Sequence, residues 1–140
     1  MKTLRYFSVC CLLTSLVLFS SCKKDDNRSF YFSKLMLLGT WSWVSTDGGI
    51  GPMHQTPAST GNNIDLKFTI DNHYYFYMNG TLSEQGTYTL GISSWRIPNK
   101  MVILFSSQGG LEYLIERLDS SNLEISMNAA DGTWSVYTKK

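Results

Sequence analysis

Few side chains of this 140-residue chain stand at spacings that chemistry uses. Glu112 and Glu116 lie two pleats apart on one extended segment, so they share a face. Two carboxylates on one face can divide acid and base roles, and the same spacing is also that of ordinary surface charge. The two histidines, His54 and His73, fall in a long connection and at a hairpin start, and neither stands in a His-x-x-x-His or comparable ligand spacing. No Gly-x-Ser-x-Gly elbow seats a serine nucleophile. The sequence therefore predicts no enzyme, no metal site and no cofactor. What it offers instead is aromatic surface. The run His73-Tyr74-Tyr75-Phe76-Tyr77-Met78 is apolar on both faces, with Tyr75 and Tyr77 on one and Tyr74, Phe76 and Met78 on the other. Such rings either fill and coat a core or, through an apolar body with a hydrogen-bonding tip, make a binding face.

The remaining reactive group is a thiol. Cys22 closes the run Leu18-Phe19-Ser20-Ser21-Cys22 and is followed by Lys23, Lys24, Asp25 and Asp26. Ahead of it stand Lys2 and Arg5, an apolar stretch from Tyr6 to Phe19, and small Ser20 and Ser21, the three parts of a secretory leader. The stretch falls short of the about 20 apolar residues that span a bilayer. A retained transmembrane helix is thus the lesser alternative, and plain secretion leaves the cysteine unexplained. The run resembles a bacterial lipobox, with Phe19 where leucine is usual. That resemblance implies cleavage after residue 21 and acylation of Cys22, and two or three acyl chains make membrane release negligible. The acidic pair after a lysine also resembles the export signal of Gram-negative lipoproteins sent to the outer membrane and its exposed face; a solvated linker is the other reading.

Cleavage leaves 119 of the 140 residues, enough for one domain. Cys10 and Cys11 leave with the leader, so the mature domain has no disulfide and must be held by its core. Its 10 basic residues oppose 11 acidic ones with no basic block, which excludes a nucleic-acid partner.

The organisation follows from periodicity. Residues 23 to 29 are a polar tether, and Phe30 to Leu38 reads as one or two helical turns stopped at Gly39. Strand patterns follow at Thr40 to Thr46, from Ile64 with alternate Leu66, Phe68 and Ile70, and at His73 to Asn79, where Asn79-Gly80 is a hairpin signal. Others are Gln85 to Leu90, Met101 to Ser106, Leu111 to Leu118, Asn122 to Met127 and Thr133 to Lys139. Eight strands joined mostly by tight turns predict an all-β fold, an eight-stranded antiparallel up-and-down β-barrel with a short N-terminal helical turn. A two-sheet sandwich is the competing arrangement. Residues 47 to 63, with Gly48, Gly49, Gly51, Pro52, Pro57 and Gly61, are expected to lack regular structure.

Gly39-Thr40-Trp41 after an apolar helical turn resembles the Gly-x-Trp signature of lipocalins and the wider calycin group. Together with the lipobox, Gly86-x-Tyr88 and Tyr113-x-Ile115, the chain resembles the lipocalin-like domains of Gram-negative lipoproteins. The division implied is a leader at 1–21, a lipidated cysteine and linker at 22–34, and a lipocalin-like domain at 35–140. The resemblance implies that Trp41 plugs the closed end of the barrel and that a cation from the last strand, Lys139 or alternatively Lys140, lies across its indole. Thr-Asp-Tyr, the second lipocalin signature, is absent: the late turn reads Leu118-Asp119-Ser120-Ser121-Asn122. In such barrels the first inter-strand loop covers the open end, which puts Met53 and His54 there.

An eight-stranded barrel holds side chains or one small ligand. Bulky filling is expected from Trp43, Phe68, Phe105, Tyr113 and Trp134, all candidates to point inward. The expected binding residues are Trp43, Met53, Tyr75, Tyr77, Tyr88 and Trp95. The function expected is a membrane-anchored barrel at the outer membrane, binding a small hydrophobic or amphipathic ligand at its mouth. The alternative is a surface module with a solid core that meets a glycan or a partner protein through outward rings such as Tyr74 and Trp95; a hydrolase using Glu112 or Glu116 is a distant third.

Overall fold

The computed structural model describes residues 26–95 and 99–140; the leader and Cys22 lie outside the described residues. Helix α1 (Asp26–Leu37) leads into β1 (Gly39–Gly48), β2 (Met53–Gln55), a single-turn helix α2 (Pro57–Thr60) and β3 (Ile64–Phe68). Then come β4 (His73–Met78), β5 (Thr81–Ile92), β6 (Met101–Phe105), β7 (Glu112–Leu118), β8 (Asn122–Met127) and β9 (Thr133–Lys139). From β3 onward each strand pairs antiparallel with the next, and β3 also pairs with β1. β9 returns to β1, from Trp41↔Lys139 to Gly48↔Thr133. Eight strands thus close into the antiparallel up-and-down barrel that the sequence predicts, and closure leaves no long edge for aggregation.

Alternation sets the faces. Leu66 and Phe68 are buried while Lys67 between them is exposed. The β4–β5 hairpin turns on Asn79 and Gly80, whose φ of 51° and 79° are both left-handed, as a two-residue type I′ turn demands. Because neighbouring strands alternate in direction, α1 and the β3–β4, β5–β6 and β7–β8 connections gather at one end. The β1–β3, β4–β5, β6–β7 and β8–β9 connections gather at the other.

The α1 end is closed by Trp41, which is fully buried and donates its indole N–H to the Leu37 carbonyl at 2.7 Å. Lys139 Nζ lies 4.7 Å from the centre of that indole and donates to the Met36 carbonyl at 2.9 Å. One lysine therefore ties the last strand to both the tryptophan and the C-terminal turn of α1. Gly39 makes the approach possible: its φ is +116°, and a Cβ there would sit 3.1 Å from Lys139 Cε.

The structure departs from the sequence reading in several places. Residues 47 to 63 do contain regular structure. β2 adds a ninth, short strand to the outer part of β1, from Thr46↔Gln55 to Gly48↔Met53. In α2, Thr56 and Ser59 cap one another reciprocally, with Pro57 in the first turn and Gly61 left-handed at the end. The glycines and prolines punctuate short elements instead of abolishing them. α1 starts at Asp26, inside the segment read as tether. Ile70 belongs to a turn rather than a strand and is 59% exposed, because the Thr69 main chain and hydroxyl close that turn on His73. Trp134 points outward: it pairs with Ser126, one residue out of phase with inward Ile125 and Tyr137.

Candidate functional site

Along β4, Tyr74 and Phe76 face the barrel interior, and their register partners on β5 are Gly86 and Glu84. The smallest side chain therefore lies opposite Tyr74, and a carboxylate lies opposite Phe76. Gly86 is required by contact: a Cβ there would fall 2.6 Å from Ser106 Oγ and 2.9 Å from the Tyr74 ring. Next to Glu84, the pairing skips Ser83, a bulge of the kind that re-aims a neighbouring side chain. These residues open onto a cavity of 190 Å³ within the barrel.

Five aromatic rings wall the cavity, Tyr74, Phe76, Phe105, Tyr113 and Tyr137, with Leu66 and Ile125 as its aliphatic patches. The rings brace each other edge to face, with centres 4.7 Å apart for Tyr74 and Phe105 and 5.3 Å apart for Phe105 and Tyr113. Glu84 and Gln108 supply the polar part of the lining. Gln108 sits on the β6–β7 connection, so the cavity reaches the end of the barrel away from α1.

Glu84 is held by hydroxyls. Its Oε1 accepts from Tyr74 Oη and from Ser107 Oγ, each at 2.5 Å, and the two hydroxyl oxygens are 2.6 Å apart. The Ser107 bond, then the Tyr74 bond, keep the carboxyl below its ordinary range against the opposing effect of burial, so Glu84 is ionised at neutral pH. The tyrosines respond in the opposite sense. Burial first, then the bond to Glu84, raise Tyr74. Burial and the Glu84 charge raise Tyr113, and burial pushes Tyr137 up to about 12. The cavity is thus lined by neutral phenols and phenyl rings around one negative charge.

The six residues expected from sequence to bind are dispersed, and none of them lines this cavity. Trp43 and Tyr88 are inside but belong to the core: Trp43 donates to Thr46 Oγ1 at 2.8 Å, and Tyr88 packs edge-on against Phe68 at 5.0 Å. Tyr75 and Tyr77 alternate with Tyr74 and Phe76 and so face outward, with Lys67 Nζ 5.9 Å from the Tyr75 ring centre. Met53 is half-buried on β2 beside exposed His54, whose Nδ1 is 2.5 Å from Asp47 Oδ1. Trp95 is exposed on the β5–β6 connection. Phe105 and Tyr113, expected to point inward, do line the cavity; the rest of the set was missed, yet its parity was readable. If Tyr88 of Gly86-x-Tyr88 points inward, so must Gly86 and Glu84, and the Asn79-Gly80 turn then brings Tyr74 and Phe76 to the same side.

The other carboxylate pair does structural work on the outer wall. Glu112 Oε2 accepts from Ser93 Oγ at 2.6 Å and from Asn128 Nδ2 at 2.7 Å, fastening the β5–β6 and β8–β9 connections to β7. Both Ser93 and Asn128 are buried. Glu116 bonds Lys100 and accepts from Ser126 Oγ at 2.7 Å. Among the described residues no cluster of three or more His, Cys, Asp or Glu could hold a metal ion, and no helix is long and apolar enough to cross a membrane. Comparison of the chain with protein-family models, with curated proteins and with solved structures gives no match.

Proposed function

We propose that this chain is a lipid-anchored, lipocalin-like lipoprotein of the outer membrane that acts by binding, not catalysis, and that its barrel takes a small amphipathic molecule at the end away from α1. The observation that carries this reading is the 190 Å³ cavity, whose aromatic and aliphatic walls end in a polar patch of Glu84 and Gln108. Its size sets the ligand. A cavity of about 150 Å³ admits benzene, whereas drug-sized ligands occupy about 300–1,000 Å³. The occupant is therefore a molecule near benzene in size, with one polar end, and not a long acyl chain. Lys139 across Trp41 beneath a capping helix supports the lipocalin-like part, and the lipobox-like run at Cys22 supports the anchor.

The test is calorimetric titration of the full chain in detergent with small water-soluble probes such as phenol, benzyl alcohol and cyclohexanol. Binding is expected in the wild type and is lost in Ile125→Trp, which fills the cavity while the fold persists. Equal binding by both proteins would place the ligand elsewhere and sink the reading. The rival, a surface module read from outward Tyr74 and Trp95, loses Tyr74, which is buried inside the barrel, and keeps exposed Trp95; the outer wall adds Tyr75, Tyr77 and Trp134, the last lining an open groove with Glu116 and Ser126. Its premise of a solid core fits poorly with the open interior.

A further inference from the structure

We infer that the molecule this cavity accepts is a small organic cation, its charged group seated against Glu84 inside the shell of aromatic rings. The inference rests on the cavity being a binding site, as proposed above, and concerns the chemistry of its occupant.

The argument begins with the sign of the lining. Glu84 is the one charged residue among the nine that line the cavity; no lysine, arginine or histidine is present there. Most other carboxylates of the described residues meet a basic side chain. Asp47 meets His54, Asp65 meets Lys140, Asp71 meets His73, and Glu116 meets Lys100. Arg117 serves both Asp119 and Glu124. Glu84, like Glu112, has no ion-pair partner among the described residues; it is held by the Tyr74 and Ser107 hydroxyls and the Gln108 side chain, and unlike Glu112 it faces a cavity. These bonds stabilise the ionised carboxylate, and its charge lies at the edge of a mostly apolar hollow, where a positive group inside the hollow gains a direct electrostatic partner.

The walls favour the same sign. The faces of Tyr74, Phe76, Phe105, Tyr113 and Tyr137 carry negative electrostatic potential, which attracts a cation and repels an anion. A neutral ligand uses the rings and leaves the carboxylate idle; an anion opposes both. A primary, tertiary or quaternary ammonium group uses both at once, and one with a short tail matches a hollow of 190 Å³. The opposing reading is that Glu84 is only a latch, holding Tyr74 and Ser107 together across Gly86.

Three probes of nearly the same shape decide between them: choline, its uncharged analogue 3,3-dimethylbutan-1-ol, and the anion 3,3-dimethylbutanoate. They are titrated against the full chain in detergent. The expected result is choline binding at least about tenfold tighter than the alcohol, with the anion weaker than both, as a cation among desolvated rings and a carboxylate requires. In Glu84→Gln, which keeps an acceptor for both hydroxyls, the choline preference disappears while the affinity for the alcohol is unchanged. The inference is overturned if wild-type protein binds the alcohol as tightly as choline, or if the preference for choline survives in Glu84→Gln. The wild-type charge series decides even if that variant fails to fold. If phenol and cyclohexanol bind and choline gains nothing, only the cation assignment falls. If no probe of any charge binds, the binding reading falls and takes this one with it.

Discussion

Gly86 is the residue on which the site's geometry turns, because the space that a side chain would occupy is taken by Tyr74 and Ser106. Gly86→Ala should destabilise the barrel by about 1 to 3 kcal/mol through overpacking and should push Tyr74 off Glu84. Urea unfolding reads the first effect and near-ultraviolet circular dichroism the second; an unchanged midpoint would contradict the packing argument. Titration of the interior phenols makes a second prediction. Tyr137 is raised to about 12 by burial, and burial also raises Tyr74, Tyr88 and Tyr113. A tyrosine in the unfolded chain ionises near 10, so the stability these residues confer is complete below about pH 10 and is lost as pH rises toward 12. Tyr137 alone is worth on the order of 2 to 3 kcal/mol over that window. Urea midpoints at pH 9 and pH 11 check it, and equal midpoints would be the contrary result.

At the scale of elements, the closed end is a three-way junction between α1, β1 and β9, and Lys139 joins all three. Lys139→Met removes the bond to the Met36 carbonyl and the charge over Trp41, and should cost about 1 to 3 kcal/mol. The expected signature is a lower urea midpoint at unchanged slope; an unaltered midpoint would show the junction to be held by packing alone. This junction was legible in the residues, since Gly39-x-Trp41 and a terminal cation are local signals with fixed positions. The strands were legible wherever alternation was clean, as at Leu66, Lys67 and Phe68. Segments failed where side chains, not backbone, decided the outcome. The Thr56 and Ser59 caps make a helical turn out of a Gly- and Pro-rich loop, and β1 recruits β2 through main-chain bonds that leave no hydrophobic pattern.

For the whole molecule, the fold followed from counting strands and turns, but the site did not, because it depends on which parity of each strand points inward. Tyr74 and Tyr75 are indistinguishable in composition; the pairing of Tyr74 with Gly86 separates them. Trp134 failed for the same reason, its phase set by its pairing with Ser126. The resulting molecule is a barrel shut at the α1 end by Trp41 and hollow toward the other, with its negative charge placed among aromatic walls. The most direct test of that account is a methyl spectrum of the isotope-labelled full chain titrated with choline. The account predicts shifts concentrated at Leu66 and Ile125, inside the barrel, with saturation. Shifts confined to outward residues such as Val44 and Leu82, with Leu66 and Ile125 unmoved, would contradict it.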